Sequence, residues 1–105
     1  METMASVVWT ELVLSGLMTP ARFVEVLSTR PAEIAGILEH GRPIAVGEPA
    51  NLVVFDPAVR WVVNGPDLHS KSSNTPWQGR ELHGRVRHTV VGGKLVVDDM
   101  RLTGA

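Results

Sequence analysis

The spacing of the apolar residues changes at Gly41, and no single type of secondary structure satisfies both sides of that change. Before it, apolar residues recur at intervals of three and four. Met4, Val7, Val8 and Leu12 fall at the i, i+3, i+4, i+8 positions of one helix face, which predicts an amphipathic helix over residues 2 to 14. Ser15-Gly16 ends it, because glycine reaches the left-handed conformation of a helix terminus without steric cost. Thr19-Pro20 starts a second helix. The threonine hydroxyl accepts from free backbone N–H groups of the first turn, and proline occupies the position where a missing donor costs nothing. Phe23, Val24 and Leu27 form its apolar side. Arg30-Pro31 repeats the device with a poorer cap, predicting a short third helix through Ala32, Ile34 and Ala35 that stops near Gly36.

After Gly41 the chain turns to short runs of β-branched residues separated by Gly, Pro, Asn and Asp. Asn51 to Phe55 and Arg60 to Val63 read as two strands with a turn at Pro57. Val86 to Val91 and Lys94 to Val97 flank Gly92-Gly93, a two-residue loop that supplies the positive φ angles of a tight hairpin. Between these regions, residues 69–77 are polar, and their hydroxyl and amide groups favour a defined loop over regular structure. The expected class is α/β: helices first, strands after, ending in a β-hairpin.

Several functions are excluded by composition. With 105 residues, the chain holds at most one ordinary domain. Ten basic residues against eleven acidic ones leave no block of positive charge, so neither nucleic acid nor an anionic membrane is an expected partner. The absence of cysteine rules out a thiolate nucleophile and any Cys-ligated metal, and fits a reducing, cytoplasmic setting. The apolar stretch from Val7 to Met18 is interrupted by Glu11 and too short to span a bilayer.

Candidate chemistry is sparse. His40, His69, His83 and His88 share neither the strand nor the helix spacing that converges two ligands on one ion, and His83 and His88, five apart, would not present a common face. Glu33, Glu39, Glu48 and Asp56 lie beside turns or helix starts, where a carboxylate has a structural role. Asp98 and Asp99 are adjacent and would point to opposite sides of a strand. Ser70, Ser72 and Ser73 have no base at a recognisable spacing. Trp9, Trp61 and Trp77 are expected to serve packing. No catalytic, metal-binding or cofactor-binding residue is therefore assigned.

Three segments nevertheless carry a family resemblance. Ser70-Lys71-Ser72-Ser73-Asn74-Thr75-Pro76-Trp77, followed by Gly79, Leu82, Gly84 and Val86, resembles the Ser-Lys-x-x-Asn-Thr-Pro-aromatic loop of class I dihydroorotases. Gly47 to Pro57 is similar to the Gly-x-x-Ala-Asp-Leu-Val strand of many amidohydrolases, with Asn51 in place of Asp. Ser28 to Ile37 resembles the family's Ser-x-Asn-Pro-Ala-x-Ile-x-Gly-Leu helix, with Arg30 in place of the capping Asn. The opening Met1-Glu2-Thr3 looks like the tail of a Gly-hydrophobic-Glu-Thr motif that begins the family's last barrel helix, which would place Met1 well inside an enzyme of normal length.

The resemblance implies a C-terminal segment of such an enzyme. Residues 1–40 would be the last helices of a TIM-type barrel, and residues 41–105 part of an associated small β-sandwich. The family's activity is the zinc-dependent, reversible hydrolysis of dihydroorotate to carbamoyl aspartate. Its His-x-His pair, carboxylated lysine, further histidines and general-base aspartate all precede the segment present here, so none maps onto this sequence. The segment alone is expected to bind no cofactor and to be inactive. Its implied partners are the missing N-terminal part of the enzyme or another copy of the chain. Two other expectations remain open. One is a non-catalytic module pairing with a dihydroorotase or an aspartate transcarbamoylase; the other is a fragment of a hydantoinase or allantoinase. Ser70, Lys71, Asn74, Thr75, Pro76 and Trp77 are expected to form a structural loop.

Overall fold

The computed structural model describes residues 2–104. Helices occupy the first third and a four-stranded antiparallel sheet the rest, with strand order β1-β2-β3-β4. Helix α1 (Met4–Val8) continues without a break into a π-helical stretch, Trp9–Val13. Gly16 follows at φ 83°, in agreement with the expected stop at Ser15-Gly16. Helix α2 (Pro20–Val24) begins as its sequence predicts: Thr19 is extended and its hydroxyl accepts from the Arg22 N–H at 3.1 Å.

The third helix lies where expected, but it is not separate from the second. Helix α2 passes through a π-helical stretch, Glu25–Thr29, directly into α3 (Arg30–Ala35), and Thr29 is itself helical. Proline inside a helix has no N–H to donate, and its ring collides with the carbonyl four residues back. Here the preceding turn is widened, with the Arg30 N–H donating to Glu25 O, so Pro31 is accommodated within a continuous rod. That rod ends at Gly36, at φ 68°.

Strand β1 (Leu52–Val62) pairs with β2 (Glu81–Val91), which pairs with β3 (Lys94–Asp98). The turn expected at Pro57 is corrected here. Residues 52–62 form one strand, with a bulge that sets Asp56 opposite Arg85 and Arg60 opposite His83. The Asp56 carboxylate accepts from the Ala58 N–H at 3.0 Å, so local side-chain bonding absorbs the extra residues without reversing the chain. Gly92 and Gly93 have φ of 56° and 81°, and Val91 faces Lys94, which is the hairpin predicted from the sequence. A short strand, β4 (Arg101–Leu102), was not foreseen. Its turn uses Asp99 and Met100 in left-handed conformations, where glycine is the usual marker.

The core is small. Trp9, Phe23 and Phe55 meet with ring centroids 5.2 to 5.5 Å apart, joining the first helix, the second helix and β1. Val63 and Leu82, at the far end of the β1–β2 pair, are completely buried. The expected apolar face of α1 is not its most buried side. Met4 is exposed, and the buried position is Ser6. Likewise Phe23 is buried on α2 whereas Val24 is exposed.

Ser6 is buried because its hydroxyl donates to the Gly84 carbonyl at 2.6 Å. One helical turn on, the Thr10 hydroxyl contacts both the backbone O and N of His83, at 3.2 and 2.8 Å. One turn earlier, the Glu2 carboxylate accepts from the His69 N–H at 2.5 Å. Residues 2, 6 and 10 thus form a polar stripe at helical spacing: Ser6 and Thr10 bond the β2 backbone where β3 does not reach, and Glu2 bonds the loop at His69. Trp61 Nε1 also donates to Gly84 O, at 3.1 Å. Gly84 itself sits at φ 88° beneath the Phe55 ring, where an added Cβ would lie 2.4 Å from a ring carbon. Gly84→Ala is therefore expected to destabilise the fold by about 2 to 4 kcal/mol, through strain and overpacking, as read by urea denaturation. Ser6→Ala removes one of the two donors to the buried Gly84 carbonyl and should cost about 1 kcal/mol in the same measurement.

Candidate functional site

The polar segment singled out in the sequence is the crown of a loop spanning residues 64–79. Its base is closed by two hydrogen bonds around buried Val63: Val63 N–H to Arg80 O and Gly79 N–H to Val63 O, both 2.9 Å. Inside, Gln78 bridges the two sides. Its Oε1 accepts from the Gly65 N–H at 2.7 Å, while its Nε2 donates to Asn64 Oδ1 at 3.2 Å. Gly65 is required by contact, since a Cβ there would fall 1.8 Å from the Ser73 carbonyl oxygen. These features make the loop a packed unit of its own.

The crown is held by the short-range bonds its composition favours. Ser72 Oγ accepts from the Asn74 N–H and Thr75 Oγ1 from the Trp77 N–H, each at 3.2 Å. Trp77 is half-buried, with the Arg80 guanidinium 5.6 Å from its ring centre. Ser70, Asn74, Thr75, Pro76 and Trp77 line one side of a cleft of about 150 Å³, and Glu2 and Thr3 line the other. The loop and the start of α1, which are separate motifs in sequence, are therefore adjacent. Lys71 does not line this cleft and is exposed, with no ion pair among the described residues. Met1, the first residue of the opening motif, lies outside the described residues.

Sequence reasoning found this loop but not what it rests on. Asn64, Gly65 and Gln78 gave no signal of their own, and the part of Glu2 is visible only in three dimensions.

The cleft offers hydroxyls, an amide and one carboxylate. It holds no paired acid and base. Elsewhere several titratable groups are engaged structurally. His83 and His88 lie half-buried on β2. His83 Nε2 is 3.8 Å from Glu81, while His88 Nδ1 lies 3.1 Å from the Asp98 carboxylate and accepts from the Asp99 N–H at 3.2 Å. Asp99 lies 3.8 Å from Arg87, so the two adjacent aspartates serve different neighbours. Asp56 also faces Arg87, at 3.4 Å. Glu33 pairs with Arg30 at 2.8 Å. Trp61 is half-buried, with Arg85 stacked 4.4 Å from its ring centre. Among the described residues, no group of three or more His, Asp or Glu side chains is placed to hold a metal ion. The residues present do not fit a zinc centre of the kind the resemblance implies.

In the segment before β1, Glu48 and Arg42 form a two-pronged pair, with Arg42 Nη2 2.9 Å from Glu48 Oε1. Hydrogen bonding to Arg42 holds the Glu48 carboxyl below the usual glutamate range, and the same bond raises the Arg42 guanidinium. Nearby, the Asn51 side chain donates to Glu39 O at 2.9 Å and accepts from the Gly92 N–H at 2.8 Å, tying this segment to the final hairpin. An aspartate at position 51 has no N–H₂ to donate to Glu39 O, so the Asn found in place of the more usual Asp has a use here.

Comparison with known proteins now places the chain. Residues 2–96 match the model of the Amidohydrolase family. The chain belongs to the amidohydrolase family. It is similar to the dihydroorotase of Mycobacterium leprae, with 45% identity over 95 residues, covering 90% of this chain and 22% of that protein. A Streptomyces coelicolor dihydroorotase is 45% identical over 103 residues, covering 98% and 24%. Among solved structures, a D-hydantoinase (dihydropyrimidinase) from Thermus sp. superposes with a TM-score of 0.89 at 32% identity, covering 99% of this chain and 23% of the enzyme. The dihydropyrimidinase of Brevibacillus agri superposes with a TM-score of 0.86 at 29% identity, covering 94% and 22%. The chain thus spans less than a quarter of the length of these relatives. No helix among the described residues is long and apolar enough to cross a membrane.

Two outcomes follow from this geometry. Replacing Glu2 by alanine should speed hydrogen exchange at the His69 amide more than at Gly79, because the first loses its acceptor and the second does not. The Glu48 carboxyl has a folded pKa below its unfolded value. Its contribution to stability is therefore present above the ordinary glutamate range and is lost as pH falls through the lowered value. An NMR titration should show Glu48 moving up toward ordinary glutamates in Arg42→Ala.

Proposed function

We propose that this chain is the C-terminal portion of a dihydroorotase and is not a catalyst by itself. In this reading residues 1–40 are closing helices of a TIM-type barrel, and residues 41–105 are part of the small β-sandwich beside it. The parent reaction is the reversible hydrolysis of the cyclic amide of dihydroorotate to carbamoyl aspartate, a cytoplasmic step of pyrimidine synthesis that uses zinc. The observation that carries the reading is 45% identity to dihydroorotases across 98% of the chain, the Ser70-to-Trp77 loop included. Hydantoinase structures share the shape at 32% identity or less. The higher identity favours dihydroorotase as the parent.

Chemistry supports the predicted inactivity. Turning water into a nucleophile at neutral pH in this way takes a cation held by several ligands, and the described residues bring no such set together. The contribution of this chain is structural. The loop with Ser70, Lys71, Asn74, Thr75, Pro76 and Trp77, braced by Glu2, positions the β-sheet against the first helix. A second reading, a non-catalytic module that binds a dihydroorotase or an aspartate transcarbamoylase, is favoured by the exposure of Leu17, Ile34 and Leu38, each above 75%.

The test is complementation. Purified chain with added zinc should not hydrolyse dihydroorotate above background. Mixed with a Streptomyces coelicolor dihydroorotase lacking its matching quarter, it should restore hydrolysis. Activity of the chain alone would refute the proposal, and failure to complement while still binding the intact enzyme would favour the module.

A further inference from the structure

Asn64-Gly65 is the chain's one Asn-Gly pair, and the fold leaves no alternative to glycine at its second position, because a Cβ there would fall 1.8 Å from the Ser73 carbonyl oxygen. That requirement has a chemical consequence. With no side chain on residue 65 to shield it, the Gly65 amide nitrogen can attack the Asn64 side-chain carbonyl carbon wherever the backbone is free to turn. The structure holds both reacting groups in one clamp. Gln78 Oε1 accepts from the Gly65 N–H at 2.7 Å, and Gln78 Nε2 donates to Asn64 Oδ1 at 3.2 Å. Asn64 Nδ2 donates to Asp67 Oδ2 at 3.0 Å, and the Asn64 backbone is extended, at φ −131° and ψ 110°.

We propose that Asn64 is a spontaneous deamidation site that Gln78 holds closed, and that it reacts when the loop spanning residues 64–79 opens. The reaction needs water alone. Gly65 N gives up its proton as its electron pair forms a bond to Asn64 Cγ; the Cγ–Nδ2 bond breaks, and Nδ2 takes up a proton and leaves as ammonia. Water then adds across one of the two carbonyls of the resulting succinimide ring. Opening at Cγ gives aspartate, and opening at the backbone carbonyl carbon gives isoaspartate, in which the chain runs through Cβ and Cγ. Two features of the closed loop oppose the first step. The Gly65 proton is engaged by an acceptor, which disfavours its loss. Ring closure also requires rotation about the Asn64 Cα–C bond out of its extended conformation, which breaks the Gly65–Gln78 hydrogen bond. The base of the loop resists that rotation, since Val63 is tied to Arg80 and Gly79 by backbone bonds of 2.9 Å.

The product does not fit the closed loop. A carboxylate at residue 64 has no hydrogen to give to Asp67, so two negative charges face each other across a former hydrogen bond. Isoaspartate inserts an extra backbone carbon beside Gly65, where there is no room for even a Cβ. Each conversion therefore makes a transient opening permanent. The contacts involved all lie between residues 63 and 80, and the chemistry does not depend on the parent reaction proposed above.

The purified 105-residue chain, incubated folded and in urea in mildly alkaline buffer, is to be followed by peptide mass spectrometry. Asn64 should convert to aspartate and isoaspartate about tenfold faster or more in urea than in the folded chain, and in urea it should outpace Asn51 and Asn74. Gln78→Ala, folded by circular dichroism, should close most of that gap, whereas Gln78→Glu, which keeps an acceptor for the Gly65 N–H, should retain most of the protection. Asn64→Asp gives a second reading that does not rely on Gln78 and decides the matter if Gln78→Ala is unfolded. It should speed hydrogen exchange at the Gly65 and Gly79 amides about tenfold, and adding Asp67→Asn should reverse most of that. The proposal is overturned by equal rates in the folded and urea-unfolded chain, by a folded Gln78→Ala chain that converts as slowly as the parent, or by Asn64→Asp leaving both amides unchanged.

Discussion

The carbonyl oxygen of Gly84 receives two donors, from Ser6 and from Trp61, and the rest of the molecule is arranged around that point. A buried carbonyl must be satisfied, and β3 does not extend far enough along β2 to contribute at this level. The first helix takes that place with side chains spaced one turn apart. Its angle to the sheet is fixed by polar contacts, and the three aromatic rings then fill the angle between helix and strand. Gly84 must lack a side chain for this to work, because the Phe55 ring covers its Cα. Hydrophobic burial supplies much of the driving force, but the polar stripe decides which face of the helix meets the sheet.

This explains why some features could be read from sequence and others could not. The hairpin at Gly92-Gly93, the Thr19-Pro20 start and the Gly36 stop each depend on the conformational preference of one or two residues, and all three occur as expected. The face of α1 could not be read, because apolar periodicity assumes that apolar residues are the ones buried. Ser6 and Thr10 look like solvent-facing positions until their backbone partners are known. Pro31 and Pro57 show the opposite limitation. Proline usually interrupts an element, but a π-helical turn ahead of one and a bulge at the other let both helix and strand continue.

The polar loop falls between these cases. Its hydroxyls and amide announced a defined loop, and Ser72 and Thr75 bond as that composition suggests. Its family likeness was legible in the residues from Ser70 to Trp77. Its support was not, because Glu2 stands 67 residues from His69 and Gln78 bridges across the loop's base. The same loop shows how a family trait separates from its chemistry. A chain can carry the signature and the shape of a hydrolase, with a TM-score of 0.89 to one, while its described residues contain no converging ligands.

The last few residues have a consequence out of proportion to their length. Strand β4 is only two residues long, but Thr103 extends its contact, donating from its N–H to Val96 O and from its hydroxyl to Leu95 O. Together they sheathe the outer rim of β3. A two-residue strand leaves few free backbone groups at that rim, so the tail guards this flank of the sheet against edge-to-edge aggregation.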